Sequence, residues 1–393
     1  MTKNNRISRR KFLSQGLQAG ITLPVLGYAL SSCEAEDRPA AQENTVKKLN
    51  ILILGGTSFL GPHQIAYALA RGHSITTFTR GKTEPNIHKD LFQQVTSLVG
   101  DRETDLTALE TGSWDAVIDN SGHRTAWAIK SAELLKDRSE LYLFTSSTGV
   151  YYPYLTKDAD EDSEVLLVEP DGITDEDEKL EYWYGVMKAT SENAVRAAYG
   201  DSRSIIVRPT YMIGPADKSN RFIHWPIRLS RGGEVMVPGK PDDPVQYADV
   251  RDVAEFMIRL IEEKKAGTYN AVGPEQPQGM LPFIQTVSKA FEVESTFTTV
   301  DDYAFLKEQH VLHLVPWIMP EGNNMGSALI SNKKGIQAGL TFRDPVQTVR
   351  DTYDWWYSDA LTDEQRNQFE LDTESALQRE KAILSAWKTY KNM

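Results

Sequence analysis

Leu49-Asn50-Ile51-Leu52-Ile53-Leu54-Gly55-Gly56-Thr57-Ser58-Phe59-Leu60-Gly61 runs from an apolar segment straight into a glycine-rich turn. Leu49–Leu54 reads as a strand buried on both faces, because such strands lose the apolar/polar alternation of a half-exposed one. Pro62–Arg71 then has helical spacing, Gly72 stops it, and Ser74–Thr79 reads as a second strand. Further apolar runs follow at Ala116–Ile118, Leu141–Phe144 and Ser204–Val207, separated by helix-like stretches. Strand and helix in alternation predict an α/β fold with a doubly wound parallel sheet.

The turn says what such a sheet would bind. Glycines between a strand and a helix let the backbone approach a pyrophosphate, whose charge is met by the free N–H groups of the helix start. Gly55, Gly56, Thr57, Ser58, Phe59, Leu60 and Gly61 are therefore expected to cradle a dinucleotide on a Rossmann-type domain, with Ser58 at the position of the usual middle glycine. The second strand ends in Phe78-Thr79-Arg80-Gly81-Lys82, without the acid that binds the ribose hydroxyl of NAD. Arg80 and Lys82 suit a 2′-phosphate, which leans the cofactor to NADP over NAD unless both are plain surface charges. Gly100-Asp101-Arg102, after a third strand, would place Asp101 against the adenine amine, with Arg102 beside it.

The 393 residues are divided by texture into a segment 1–33, a linker 34–48, the dinucleotide-binding domain 49–207, an interleaved substrate lobe 208–350 and C-terminal helices 351–393. The last helices read as charged and packed outside the body or extending from it. The clusters Asp158–Glu164 and Asp175–Glu178 read as solvated loop. Composition is 40% hydrophobic and 25% charged, which excludes a fibrous or multi-span chain. The net charge is −12; without residues 1–33, which hold five basic residues and no acid, 38 basic residues face 55 acidic ones, a balance of −17. Nucleic acid is not an expected partner of so acidic a body. The single cysteine excludes a disulfide framework and a Cys-based zinc cluster, and no metal site is expected.

That cysteine closes the first segment. Ser8-Arg9-Arg10-Lys11-Phe12-Leu13 precedes an apolar stretch Leu17–Leu30 and then Leu30-Ser31-Ser32-Cys33. A basic start and a short apolar core make an export signal, too short for a stable span. The arginine pair resembles a twin-arginine signal, read by the machinery that exports folded proteins, and the last four residues resemble a lipobox. Lipidation of Cys33 would tether the domain to a membrane surface, in the periplasm or outside the cell.

Catalysis points to a Tyr-x-x-x-Lys pair, whose i, i+4 spacing sets an ammonium beside a phenol on one helix face. A nearby cation would lower the phenol from about 10 towards the working range. Tyr184–Lys188 and Tyr303–Lys307 both match. Tyr184 follows a strand tipped by Thr145-Ser146-Ser147, where ligands of such sheets bind, whereas Tyr303–Lys307 reads as a surface pair.

Gly55–Gly61, the block Thr145–Tyr151, Tyr184–Lys188, Arg208–Pro215 and Gln246–Ala254 occur in the order found in the extended short-chain dehydrogenase/reductases, so residues 49–350 resemble the NAD-dependent epimerase/dehydratase family. Phe78–Lys82 and Gly100–Arg102 resemble an atypical branch that includes chloroplast stem-loop RNA-binding proteins. The resemblance implies that Tyr184 transfers the proton at a substrate carbinol or carbonyl, with hydride moving to or from the nicotinamide. Ser147, or next Ser146, would hold the same oxygen, and Lys188 the nicotinamide ribose. It also implies that Tyr211, Arg221, His224 and Trp225 lie where the pocket for a sugar is built, and that a homodimer is a plausible assembly. His123, after the fourth strand, would face nicotinamide or substrate. Outside the cytoplasm no pool renews the cofactor, so an exported member is expected to hold it tightly and run a redox-neutral reaction on a sugar or glycoside. An NADPH-dependent reductase of a small carbonyl compound and a non-catalytic nucleotide- or RNA-binding protein are the alternatives. Trp355-Trp356 reads as core.

Overall fold

The computed structural model describes residues 47–120 and 122–392; the expected export segment with Cys33, and all but the end of the linker, lie outside the described residues. The strands are β1 (Asn50–Leu54), β2 (Ser74–Thr79), β3 (Thr96–Val99), β4 (Trp114–Asp119), β5 (Ser139–Thr145) and β6 (Ser204–Pro209). With Gly267–Ala271 they form one seven-stranded sheet in the order Gly267–Ala271, β6, β5, β4, β1, β2, β3. Every pairing in it is parallel. The order reverses between β1 and β4, and a crevice for a ligand opens beyond the C-terminal ends of strands at such a point. Ile51 to Leu54 are fully buried, as the unbroken apolar run requires, whereas β3 is an exposed edge with Val99 61% accessible, so no apolar run marks it.

Helices cover both faces. One face packs on α1 (Leu60–Ala70) and α5 (Val250–Glu262), the other on α2 (Thr125–Leu135) and α3 (Glu176–Tyr199). The chain from α5 to Gly267–Ala271 thus returns from the lobe to complete the sheet. Asp175–Glu178 is not loop: Asp175 caps α3 by accepting from the Glu178 N–H at 2.9 Å, and the next acids fill its first turn. Negative charge is favoured there by the helix dipole.

The lobe has its own core around Trp225, Met236, Phe283 and Trp317. The last helix is part of it rather than outside it, whereas Asp363–Glu370 buries no residue. Helix Ala376–Tyr390 buries Ile383, Leu384 and Trp387 in that core, and its Glu380 pairs with the buried Arg228 of α4 (His224–Ser230). Trp355 and Trp356 are buried, as expected. They belong to a small cluster with Ile223 and Ile227, against which Phe59 of the glycine-rich turn packs.

Candidate active site

The turn after β1 is built for close approach. A Cβ on Gly61 would fall on the backbone of Gly56, so only glycine lets α1 start so near the strand. Phe59, the residue before α1, has φ +33° and gives no side-chain cap, and the first helical turn has no acid. An uncapped, acid-free helix start leaves N–H groups for an anion. Beside it lies a cavity of about 580 Å³ lined by Gly55, Thr57, Ser58, Phe59, Leu60, Arg80, Lys82, Asp101 and Arg102, among others. Arg80 and Lys82 are exposed at its rim and are ion-paired with nothing among the described residues. These features fit a phosphorylated dinucleotide. Arg102 departs from the expected role: its guanidinium turns inward to the buried carboxylate of Asp119, which also accepts from the Tyr142 hydroxyl at 2.7 Å.

A second cavity, of about 460 Å³, adjoins the first, and Asn120, His123, Thr145 and Met212 line both. Ser147, Tyr184 and Lys188 all line the second one. The tip of β5 and helix α3 are pressed together there. A Cβ on Gly185 would come within 2.5 Å of the Gly149 carbonyl, and one on Gly149 within 2.9 Å of the Tyr184 ring. Ser147 caps the short turn Thr148–Tyr151 by accepting from the Gly149 N–H at 3.0 Å. Ser146 is committed elsewhere: its hydroxyl donates to Glu192 at 2.5 Å, and Glu192 is also paired with Arg208 at 2.7 Å, all three buried. Arg208 donates in turn to the Tyr151 hydroxyl at 2.8 Å.

The electrostatics differ from the simple expectation. Lys188 Nζ donates to the carbonyls of Thr145 at 3.0 Å and Gly122 at 3.2 Å and lies 5.9 Å from the centre of the Tyr184 ring. Its burial pushes its pKa down to about 8. Tyr184 is raised, not lowered: desolvation outweighs hydrogen bonding towards Ser147 and the charge of Arg221. The ammonium is held by two backbone carbonyls, and the influences that lower the phenol come from Ser147 and Arg221 instead.

Among the remaining expectations, Tyr211 and Arg221 line the second cavity, the guanidinium 5.3 Å from the centre of the Tyr211 ring. His123 sits where the cavities meet, its pKa lowered by desolvation and by Lys188. His224 and Trp225 are core instead: the imidazole is buried edge-on to the indole, ring centroids 4.7 Å apart. A residue that opens a helix facing a hydrophobic lobe is buried with it. Tyr303 donates to Asp243 at 2.6 Å and Lys307 pairs with Glu321 at 2.6 Å, away from both cavities. Tyr154, Leu180, Glu181 and Trp183 line the second cavity without having been singled out in the sequence. For the last three the signal was available, since they stand within one helical turn of Tyr184.

Comparison with known proteins adds to this geometry. Residues 51–272 match a family model described as NAD dependent epimerase/dehydratase family. The chain is 28% identical over 232 residues to the chloroplast stem-loop binding protein of 41 kDa b of Arabidopsis thaliana, a match that spans 55% of this chain and 56% of that protein. The chain thus covers little more than half the length of that relative. Among solved structures, the UDP-N-acetylglucosamine 4-epimerase of Methanobrevibacter ruminantium, in complex with UDP-N-acetylmuramic acid, is similar at 16% identity and TM-score 0.57, covering 79% of this chain and 98% of that one. Human epimerase family protein SDR39U1 with NADPH is similar at 19% identity and TM-score 0.51, covering 78% and 99%. At these identities the likeness is one of fold.

Proposed function

The chain belongs to the NAD dependent epimerase/dehydratase family, and from that premise we propose that it is an enzyme acting on a sugar or glycoside, with NADP preferred to NAD. The observation that carries the reading is the junction of the two cavities: a groove fit for a dinucleotide opens, past Asn120 and His123, onto Ser147, Tyr184 and Lys188. The bound cofactor would supply a hydride acceptor and donor. Gly55 to Gly61 would hold its pyrophosphate, Arg80 and Lys82 its 2′-phosphate, and Lys188 its nicotinamide ribose. Tyr184 takes the proton from the substrate hydroxyl as that carbon is oxidised and returns it on reduction, while Ser147 keeps the oxygen in place. Its raised resting pKa means that the phenol needs more positive charge near it to act as a base, which an oxidised nicotinamide bound beside it would bring.

The sugar preference rests on Tyr154, Trp183 and Tyr211 around the second cavity, whose flat faces suit pyranose rings, with Arg221 to bind hydroxyls or an acidic substituent. Reading residues 1–33 as an export signal that ends at Cys33 makes the protein a lipid-anchored enzyme outside the cytoplasm. There a redox-neutral reaction with a retained cofactor is the one that continues without a reductant supply. Native mass spectrometry of the mature protein from the cell envelope tests this. Nicotinamide dinucleotide at one per chain, predominantly NADP, is expected; an empty protein that takes up neither NAD nor NADP at millimolar concentration contradicts it.

A further inference from the structure

Leu180, Tyr184 and Lys188 follow one another at four-residue spacing on α3, which sets them in one row, about 6 Å apart along the helix axis. The row runs from inside to outside: Lys188 is buried, Tyr184 half-buried and Leu180 58% exposed. All three line the second cavity, and so does the exposed Trp183. Two more exposed apolar side chains adjoin the wall that Tyr154 contributes. Leu155 follows it in the chain, and Met325 precedes Gly326, whose N–H donates to the Tyr154 carbonyl at 2.8 Å. A Cβ on Gly326 would fall on the Thr156 carbonyl, so these two segments touch. Scattered exposed leucines are ordinary, whereas apolar residues gathered at the rim of a cleft mark the place of an apolar ligand.

Charge narrows the ligand. Among the described residues that line this cavity, the cations are Arg221 and Lys188, and Glu181 is an acid. Lys188 is buried and turned to the carbonyls of Thr145 and Gly122. That leaves Arg221 against Glu181, a balance that does not favour the diphosphate of a nucleotide-linked sugar. The loop between Tyr154 and α3 adds to this. Its Leu166-Leu167-Val168 is exposed, with Asp160, Glu161, Asp162 and Glu164 before it and Glu169 and Asp171 after it. Such acids repel an anionic ligand or an anionic membrane surface within a Debye length.

We propose that the substrate is an uncharged glycoside with an apolar aglycone, an alkyl or aryl group that lies on Leu180 at the cavity rim while its sugar reaches Tyr184. The inference rests on the function proposed above and names the substrate class of that same site. It gives Leu180 a part in specificity and none in the chemistry: the leucine meets the aglycone and touches no reacting atom. A free sugar leaves the rim in water and gains nothing from it. A longer aglycone removes more apolar surface from water and gains affinity in proportion.

Full-length protein loaded with NADP is titrated calorimetrically with methyl, hexyl and phenyl β-D-glucopyranosides and with UDP-glucose. Reduction of the bound cofactor by each is read separately at 340 nm. Hexyl or phenyl glucoside should bind about 10–100-fold more tightly than methyl glucoside, and the larger gain identifies the aglycone as alkyl or aryl. UDP-glucose should bind more weakly than either. The gain over methyl glucoside should shrink by about 5-fold or more in Leu180→Ser and persist in Leu180→Met. Equal affinity for the three glucosides, or tighter binding of UDP-glucose, overturns the proposal and leaves the reading of the site in place. A gain that survives Leu180→Ser overturns it too; if that variant has also lost a dimer seen for the wild type in native mass spectrometry, the rim belongs to a second copy of the chain. Neither binding nor cofactor reduction by any glycoside would instead overturn the reading of the cavity, and the proposal with it.

Discussion

The Lys188 ammonium donates to the Thr145 carbonyl at 3.0 Å, tying helix α3 to the tip of the strand that presents Ser147. The amine is buried for this, at a cost visible in its pKa of about 8 against the ordinary 10.5. The unfolded chain therefore binds a proton that the fold gives up across that interval, so the folded state gains stability as pH rises from about 8 towards 10.5. Denaturant titrations of wild type and Lys188→Met should show the wild type gaining on the variant over this window, by on the order of 3 kcal/mol. A constant difference between the two curves would mean that Lys188 is not desolvated as described.

Glu192 secures the same strand tip from one turn further along α3, through Ser146 and the buried Arg208. Removing one partner of a buried ion pair strands the other, at about 3–5 kcal/mol, whereas replacing both with apolar groups is far milder. Arg208→Met should be strongly destabilising in urea unfolding. The double variant Arg208→Met with Glu192→Met should recover much of the loss, and failure to recover any would show that the two charges are not coupled.

Arg80 and Lys82 stand at the rim of the first cavity with no ion-pair partner among the described residues. If they hold a 2′-phosphate by charge-assisted hydrogen bonds, the pair of changes Arg80→Ala and Lys82→Ala should weaken NADP binding by about 10–100-fold and leave NAD binding nearly unchanged. Calorimetric titration with both dinucleotides checks this. Equal loss for both would assign the cations to the shared diphosphate.

His63, on α1, is neutral and buried, its ring nitrogen 3.1 Å from the Pro215 carbonyl, and burial holds its pKa near 4; His224 lies lower still, at about 3. Both are depressed below the ordinary histidine value of about 6.5. The unfolded chain takes up protons first, so stability is lost as pH falls from about 6.5 towards 4. Thermal melts of His63→Gln and His224→Phe should depend less on pH in that range than the wild type.

Much of this site was legible because its parts are local. The glycine turn, the strand-tip hydroxyls and the Tyr184–Lys188 pair each occupy a few consecutive residues, and the alternation of apolar runs gives their order in the sheet. Distant pairings were not legible. Arg102 looks like a cofactor ligand until Asp119, 17 residues on, is seen to hold it. His224 looks like a pocket residue until the lobe closes over it. The terminal helices look external because their polar faces dominate composition, while Ile383, Leu384 and Trp387 are too few to reveal which core they enter. The phenol's raised pKa depends on desolvation, which no spacing rule conveys.

The central claim is that Tyr184 moves the proton while hydride moves between substrate and the cofactor beside it. Single-turnover reduction of bound NADP by a glycoside, read at 340 nm in wild type and Tyr184→Phe, tests it most directly. Tyr184→Phe should bind cofactor as tightly as the wild type and reduce it about 10²–10⁴-fold more slowly. Equal rates in the two proteins would contradict it.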